Sequence, residues 1–83
     1  MRVEIHRAAR KHRIADDDIR HAVEQALAGY ALEQGDSEPR RTLLFGPDRA
    51  GNLLEIVVLE LDDGDRIAIH AMRMRPGYAD LLP

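Results

Sequence analysis

The stretch NLLEIVVLEL, residues 52–61, constrains the fold more than any other part of the sequence. Successive side chains of a strand point to opposite faces, and here both faces are apolar. One face carries Leu54, Ile56 and Val58, and the other carries Leu53, Val57, Leu59 and Leu61. A strand of this kind belongs in the middle of a sheet that is covered on both sides. We therefore expect the central strand here, with helices over one face and the chain's own tail or a partner over the other.

Two further apolar runs flank this stretch. RRTLLFG (40–46) precedes it and RIAIHAMRMR (66–75) follows it, and the short turns PDRAG and DDGD separate the three runs. Short β-prone runs joined by Gly/Asp/Pro turns predict an antiparallel meander. YALEQ (30–34) alternates and could add a strand, whereas RVEI (2–5) is compatible with a short strand or with irregular structure.

Helical spacing is clearest over residues 14–30, where apolar residues recur at Ile19, Ala22, Val23, Ala26, Leu27 and Tyr30. Asp16–Asp18 would occupy the first turn, where carboxylates face the positive end of the helix dipole. Ala15 is then the cap residue, and Gly29 is the predicted stop. The preceding HRAARKHR (6–13) predicts about two more helical turns. The predicted fold class is α+β, with N-terminal helices followed by a three- to four-stranded antiparallel sheet.

Length and composition limit what the chain can do. Its 83 residues fit one domain, 1–83, and the absence of cysteine excludes disulfides, thiolate metal sites and a thiol nucleophile. The four histidines do not fall at recognisable ligand spacing. Consecutive carboxylates such as Asp16–Asp18 suit the start of a helix, because they do not converge on one point as metal ligands must. We therefore expect no metal and no cofactor. No stretch is long and apolar enough to span a membrane, and the N-terminus lacks a signal-peptide core, so a cytoplasmic protein is expected.

Charge is unevenly distributed along the chain. The net charge of −3 argues against holding nucleic acid by bulk electrostatics. Residues 1–14, however, carry five cations against one acid, whereas residues 15–39 carry seven acids against one arginine. A local basic surface is therefore compatible with the acidic total.

Two segments together resemble a known family. RKHRIADDDIRHAV (10–23) and RRTLLFGPDRAGNLLEIVVLELDDGDRIAIHAMRMR (40–75) resemble the BrnT-type toxins of the RelE-like ribonuclease superfamily. These toxins show a Lys-His-Gly-Val motif before an acidic helix start, a strand ending in an apolar-Gly pair, a hydrophobic strand, and a last strand ending near Ser-Ala-Arg. The resemblance covers roughly residues 8 to 75. It implies a RelE-like fold and the toxin component of a type II toxin–antitoxin system, a metal-independent endoribonuclease that cleaves mRNA, on the ribosome or free of it. A ribbon-helix-helix antitoxin would be its partner.

The chain contains the residue types that such chemistry needs. RNA cleavage without a metal requires a base, an acid and cations that stabilise the phosphate. His70 is the candidate base or acid. The catalytic assignments are His70, Arg73 and Arg75, and the RNA-binding assignments are Lys11 and Arg41, with Lys11 and His12 matching the Lys-His pair.

One departure from the family pattern matters. His70-Ala71-Met72 stands where the family has Ser-Ala-Arg, so the nearest cation moves one residue along and, in a regular strand, onto the other face. His70 would then lie opposite Arg73 and Arg75 unless a bulge or fraying near Pro76 brought them together.

Each of these assignments has a structural alternative. His70 is equally compatible with a structural histidine, His12 could close the first helix, and Glu55 could act as a base or pair with a cross-strand arginine. Leu81 and Leu82 predict a tail that packs on the sheet or on a partner. The alternative function is a non-catalytic protein-interaction module on the same fold.

Overall fold

The computed structural model describes residues 3–32 and 39–83. In chain order its elements are β1 (Val3–Ile5), the 3-10 helix η1 (Arg7–Arg10), α1 (Asp16–Glu24), β2 (Ala28–Leu32), β3 (Arg40–Pro47), β4 (Leu53–Glu60), β5 (Arg66–Arg73) and the 3-10 helix η2 (Pro76–Leu81). The part of YALEQ beyond Leu32 lies outside the described residues.

The strands form one mixed sheet in the order β1-β5-β4-β3-β2. Strands β2 to β5 are antiparallel neighbours, and β4 lies in the middle as predicted. β1 pairs parallel to β5, and the His6 amide continues this edge by donating to the Ala68 carbonyl at 2.9 Å. The predicted fold of N-terminal helices followed by a three- to four-stranded antiparallel sheet, RelE-like, is therefore wrong. A strand precedes the helices, the sheet has five strands, and one α-helix is present among the described residues.

Both helical predictions were too long. The HRAARKHR segment forms only the four-residue η1, because Ala9 alone of its residues is buried and little packing favours a longer helix. Helix α1 begins after Ala15 as expected, with Asp16–Asp18 in its first turn. It ends at Glu24 rather than near Gly29, since residues 28–32 pair with β3 instead.

The main core lies between α1 and one face of the sheet, which we call the helix face. Its buried members are Ala9, Ile19, Ala22, Val23, Leu44, Leu54, Ile56, Val58, Ala68 and Ala71. Helix α1 approaches β3 at Gly46, where an added Cβ would lie 2.1 Å from the Ala22 carbonyl oxygen. This close backbone contact sets the distance between helix and sheet.

The other face of the sheet, which we call the open face, is covered only in part. η2 lies over its centre, where the Tyr78 ring packs on buried Phe45 with centroids 5.4 Å apart. The Tyr30 hydroxyl donates to the Leu81 carbonyl and ties the end of η2 to β2. The C-terminal segment thus contacts the sheet through the Tyr78 ring and the Leu81 carbonyl, while Leu81 itself is 37% exposed, and η2 lies beside the end of β5.

Candidate functional site

A β-bulge in β5 decides which way its polar side chains point. Val57 pairs with His70 and Val58 pairs with Ala68, so Ile69 is an extra residue in the ladder. Alternation is interrupted there, and Ala68 and Ala71 both reach the helix face, where both are fully buried. His70 consequently lies on the open face, two positions from the partner of Glu55.

The bulge lies at Ile69, not near Pro76, and it does not unite His70 with Arg73. Arg73 pairs with Leu54, a core residue of the helix face, so its side chain starts on the side opposite His70. Arg75 lies beyond the end of β5, where the chain turns into η2 across the open face. The structure therefore brings Arg75, but not Arg73, to the face of His70.

Glu55 is the buried centre of this arrangement. Its side chain is 1% exposed, and Arg75 donates to both carboxylate oxygens, from Nε to Oε1 at 2.7 Å and from Nη2 to Oε2 at 2.9 Å. The Arg75 amide donates to Oε1 as well, at 3.3 Å. The hydrogen bonds to Glu55, and then the attraction of its charge, raise the pKa of Arg75 above its ordinary value. A two-bond pair of this geometry compensates the cost of burying a carboxylate. The sequence allowed Glu55 to act as a base or to pair with an arginine, and the contact observed is the pair with Arg75.

His70 lies between this carboxylate and a second imidazole. Its Nε2 is 3.6 Å from Glu55 Oε2, and its side chain is 31% exposed. The ring of His12 meets the His70 ring edge to face, with centroids 5.9 Å apart. Two imidazoles beside an arginine–carboxylate pair at a solvent-accessible edge can exchange protons with a bound substrate.

Tyr78 completes the site. The Arg75 guanidinium lies 5.2 Å from the Tyr78 ring centroid, and its Nη2 donates to the Tyr78 hydroxyl at 3.3 Å. A shallow cavity of about 240 Å³ opens beside them and is lined by Arg75, Gly77 and Tyr78. We call the set His12, Glu55, His70, Arg75 and Tyr78 the Glu55 cluster.

The residues assigned from sequence are thus divided. His70 and Arg75 belong to the Glu55 cluster, and Lys11 is exposed next to His12 at the end of η1. Arg41 is on the open face but pairs with Leu59, which puts it about 12 Å from His70 by strand spacing and rise. Sequence reasoning gave Tyr78 no role, because a single tyrosine in a short tail carries no spacing signal. The charged Glu55, with apolar residues on both sides of it in the central strand, was the signal that marked this position.

The backbone next to His12 is unusual. Arg13 has φ of 60°, in the left-handed region that favours glycine. Non-glycine residues held there cost free energy and are frequent near functional sites. This turn separates η1 from α1 and sets the direction of the chain just after His12.

Comparison of the chain with protein-family models, curated proteins and solved structures finds no match. Within residues 3–32 and 39–83, no group of His, Asp and Glu side chains is arranged to hold a metal ion. The helices of the same residues are all too short or too polar to cross a membrane.

Proposed function

We propose that this protein is a metal-independent endoribonuclease that cleaves mRNA in the cytoplasm, the toxin component of a type II toxin–antitoxin system. Its partner would be a ribbon-helix-helix antitoxin. The observation that carries the proposal is the position of His70, which lies between the Arg75-paired carboxylate of Glu55 and the ring of His12. The toxin class and the antitoxin come from the resemblance of residues 8–75, and the chemistry comes from the Glu55 cluster.

The reaction fits the groups of this cluster. One imidazole in its neutral form removes the proton of a ribose 2′-hydroxyl, whose oxygen then attacks the adjacent phosphorus. The second imidazole, protonated, gives its proton to the 5′-oxygen as the P–O5′ bond breaks, which leaves a 2′,3′-cyclic phosphate and a 5′-hydroxyl. Arg75, whose side chain is 56% exposed, faces the negative charge that builds on the phosphate. Glu55 acts through His70 and Arg75 as a positioning residue.

The conformation of Arg13 supports the same proposal. In the Lys-His-Gly-Val motif of the resembled family a glycine follows Lys-His, and here Arg13 follows Lys11 and His12. The φ of 60° at Arg13 is a conformation that glycine adopts without strain. A glycine at this position, as in the family motif, would be compatible with the backbone of this turn.

The test is RNA cleavage by the purified full chain in EDTA. The wild type should cleave single-stranded RNA and leave 2′,3′-cyclic phosphate ends, and His70→Ala should be slower by about 10²–10⁴-fold. His21→Gln is the matched control, because His21 lies on α1 and the glutamine amide can still donate to the Pro47 carbonyl that His21 contacts. Intact RNA with folded wild-type protein, or cleavage that His70→Ala does not change, would contradict the proposal.

The same variants can be compared in a bacterial host. Expression of the wild type alone should stop growth and shorten full-length mRNA, and co-expression of a ribbon-helix-helix antitoxin should restore growth. Expression of His70→Ala should leave growth and mRNA intact.

A second candidate function is a protein-interaction module. It is favoured by the open face, where Tyr30 is 39% and Leu32 37% exposed and η2 covers only the centre. This function predicts no RNA binding even at low salt, where phosphate contacts are strongest.

A further inference from the structure

Six described cations make no ion pair with a described residue, and three of the six lie in one short segment. Residues 7–13, which we call the basic segment, contain Arg7, Arg10, Lys11 and Arg13. Of these only Arg10 makes an ion pair within the part of the chain that the structure describes, to Asp16 at 2.8 Å. Other described arginines in ion pairs are Arg20, Arg49, Arg66 and Arg75. The basic segment is thus the densest group of cations free to meet an external anion.

The neighbouring acidic helix start does not cancel this charge. Arg10 lowers the pKa of Asp16 by its hydrogen bonds and its charge, and Arg49 lowers the pKa of Asp18 in the same way. Asp17 lies within 3.8 Å of Arg49. Because these carboxylates already face arginines, Arg7, Lys11 and Arg13 remain exposed and uncompensated.

The basic segment leads directly to the Glu55 cluster. Ala9 is fully buried in the core and holds η1 along β5. His12, two residues beyond η1, contacts the His70 ring. An anionic chain that lies along residues 7–13 would therefore arrive at the two imidazoles.

We propose that the basic segment binds the backbone of single-stranded RNA on its way to His70, with Arg7, Lys11 and Arg13 contacting phosphates next to the scissile one. This inference rests on the proposed ribonuclease function and names how its substrate is held. A flexible single strand can follow a segment this short, and four of the seven described cations outside it are already paired with carboxylates.

The test is salt-dependent binding, measured without cleavage. Fluorescence anisotropy of a labelled 12-nucleotide single-stranded RNA would be followed with His70→Ala protein over 25–200 mM KCl. Adding Arg7→Gln and Lys11→Gln should reduce the slope of log K against log[KCl] by about 1.4, since each phosphate contact on a single strand contributes about 0.7. The affinity at the lowest salt should fall about tenfold or more.

The matched control adds Arg40→Gln, which removes one charge at the start of β3, and is compared with Lys11→Gln alone. Arg40→Gln should change the slope by less than half as much as Lys11→Gln, because strand spacing and rise put Arg40 about 14 Å from His70, whereas Lys11 is next to His12 at the His70 ring. Lys11→Glu alone should weaken binding further than Lys11→Gln. This single variant tests the same charge if the double variant does not fold. Circular dichroism would verify that each variant is folded.

The outcomes separate the two proposals. Equal effects of Lys11→Gln and Arg40→Gln, or no effect of the Arg7/Lys11 variant, would overturn the basic segment as the RNA-binding surface even if the wild type cleaves RNA. Selective loss of binding in the Arg7/Lys11 variant with no cleavage by the wild type would keep the surface and overturn the ribonuclease. Absence of any RNA binding at 25 mM KCl would overturn both.

Discussion

The Arg75 guanidinium donates two hydrogen bonds to the Glu55 carboxylate. The arginine side chain is 56% exposed, whereas the glutamate side chain is only 1% exposed. Removing the arginine leaves a buried charge without its partner, whereas removing both leaves an apolar contact. We expect Arg75→Met to lower the urea midpoint of unfolding clearly, and Glu55→Met/Arg75→Met to return it close to the wild-type value. A double variant as unstable as the single one would show that packing of Glu55, not charge compensation, matters at this position.

The different positions of two neighbouring arginines lead to a prediction. Arg75 lies with His70 in the Glu55 cluster, whereas the side chain of Arg73 starts on the helix face of the sheet. We expect Arg75→Gln to reduce the cleavage rate by about 10²-fold or more, as expected for a cation that stabilises the reacting phosphate. Arg73→Gln should stay within a few-fold of wild type. Single-turnover cleavage of a labelled RNA would distinguish them, and equal losses would place both arginines at the phosphate.

The Asp18–Arg49 pair predicts an acid-sensitive contribution to stability. The Arg49 side chain, and then its amide, donate to Asp18 and lower its pKa in the folded state. This contribution is present above the unfolded pKa of about 3.9 and is lost as pH falls through the lower folded pKa. We expect Asp18→Asn to have a lower free energy of unfolding than the wild type at pH 7. The difference, measured by urea unfolding, should be smaller at pH 2.5. The control is Asp18→Asn in an Arg49→Gln background, where the loss of stability at pH 7 should be smaller because the ion pair is already absent.

Gly46 predicts a steric effect at the contact between helix and sheet. A Cβ there would lie 2.1 Å from the Ala22 carbonyl oxygen and 2.9 Å from its carbon, both backbone atoms that cannot rotate away. Gly46→Ala should therefore lower the free energy of unfolding by about 3 kcal/mol. Gly77→Ala, with nothing within 4 Å of the added Cβ, should change it by less than about 0.5 kcal/mol. A neutral Gly46→Ala would mean that α1 can move away from β3 at little cost.

Arg13 predicts a gain in stability. Because its φ is 60°, Arg13→Gly should relieve backbone strain and raise the free energy of unfolding by about 1 kcal/mol. Arg13→Ala removes the same charge but keeps a Cβ, so it should bring no such gain. Thermal or urea unfolding of the three proteins would measure the difference, and a destabilised glycine variant would argue against strain in this turn.

Local pattern was sufficient for the strands of the meander. The periods of residues 40–46, 52–61 and 66–75 predicted β3, β4 and β5, because alternation and tight turns depend only on near neighbours. The same reasoning assigned Leu54, Ile56 and Val58 to one face, and all three are buried under α1. It overestimated α1, since residues 28–32 carry a helical pattern but gain backbone hydrogen bonds by pairing with β3.

For the candidate site, the sequence by itself determined which chemical groups are available: two histidines, several arginines and one glutamate in an apolar strand. Tertiary structure alone decided which of them meet. The parallel pairing of β1 with β5 and the bulge at Ile69 depend on contacts between distant segments, so the spacing of apolar residues within one segment does not predict them. The parallel pairing brings η1 and His12 to His70, the bulge puts His70 on the face of Glu55, and the turn into η2 carries Arg75 to Glu55. The position of Arg73 on the other face follows from regular alternation after His70, as the sequence predicted. The physical reason is that Ala68 and Ala71 are both buried on the helix face of the sheet, although they are three residues apart. This interrupts the alternation of β5 and decides that His70 points to the open face.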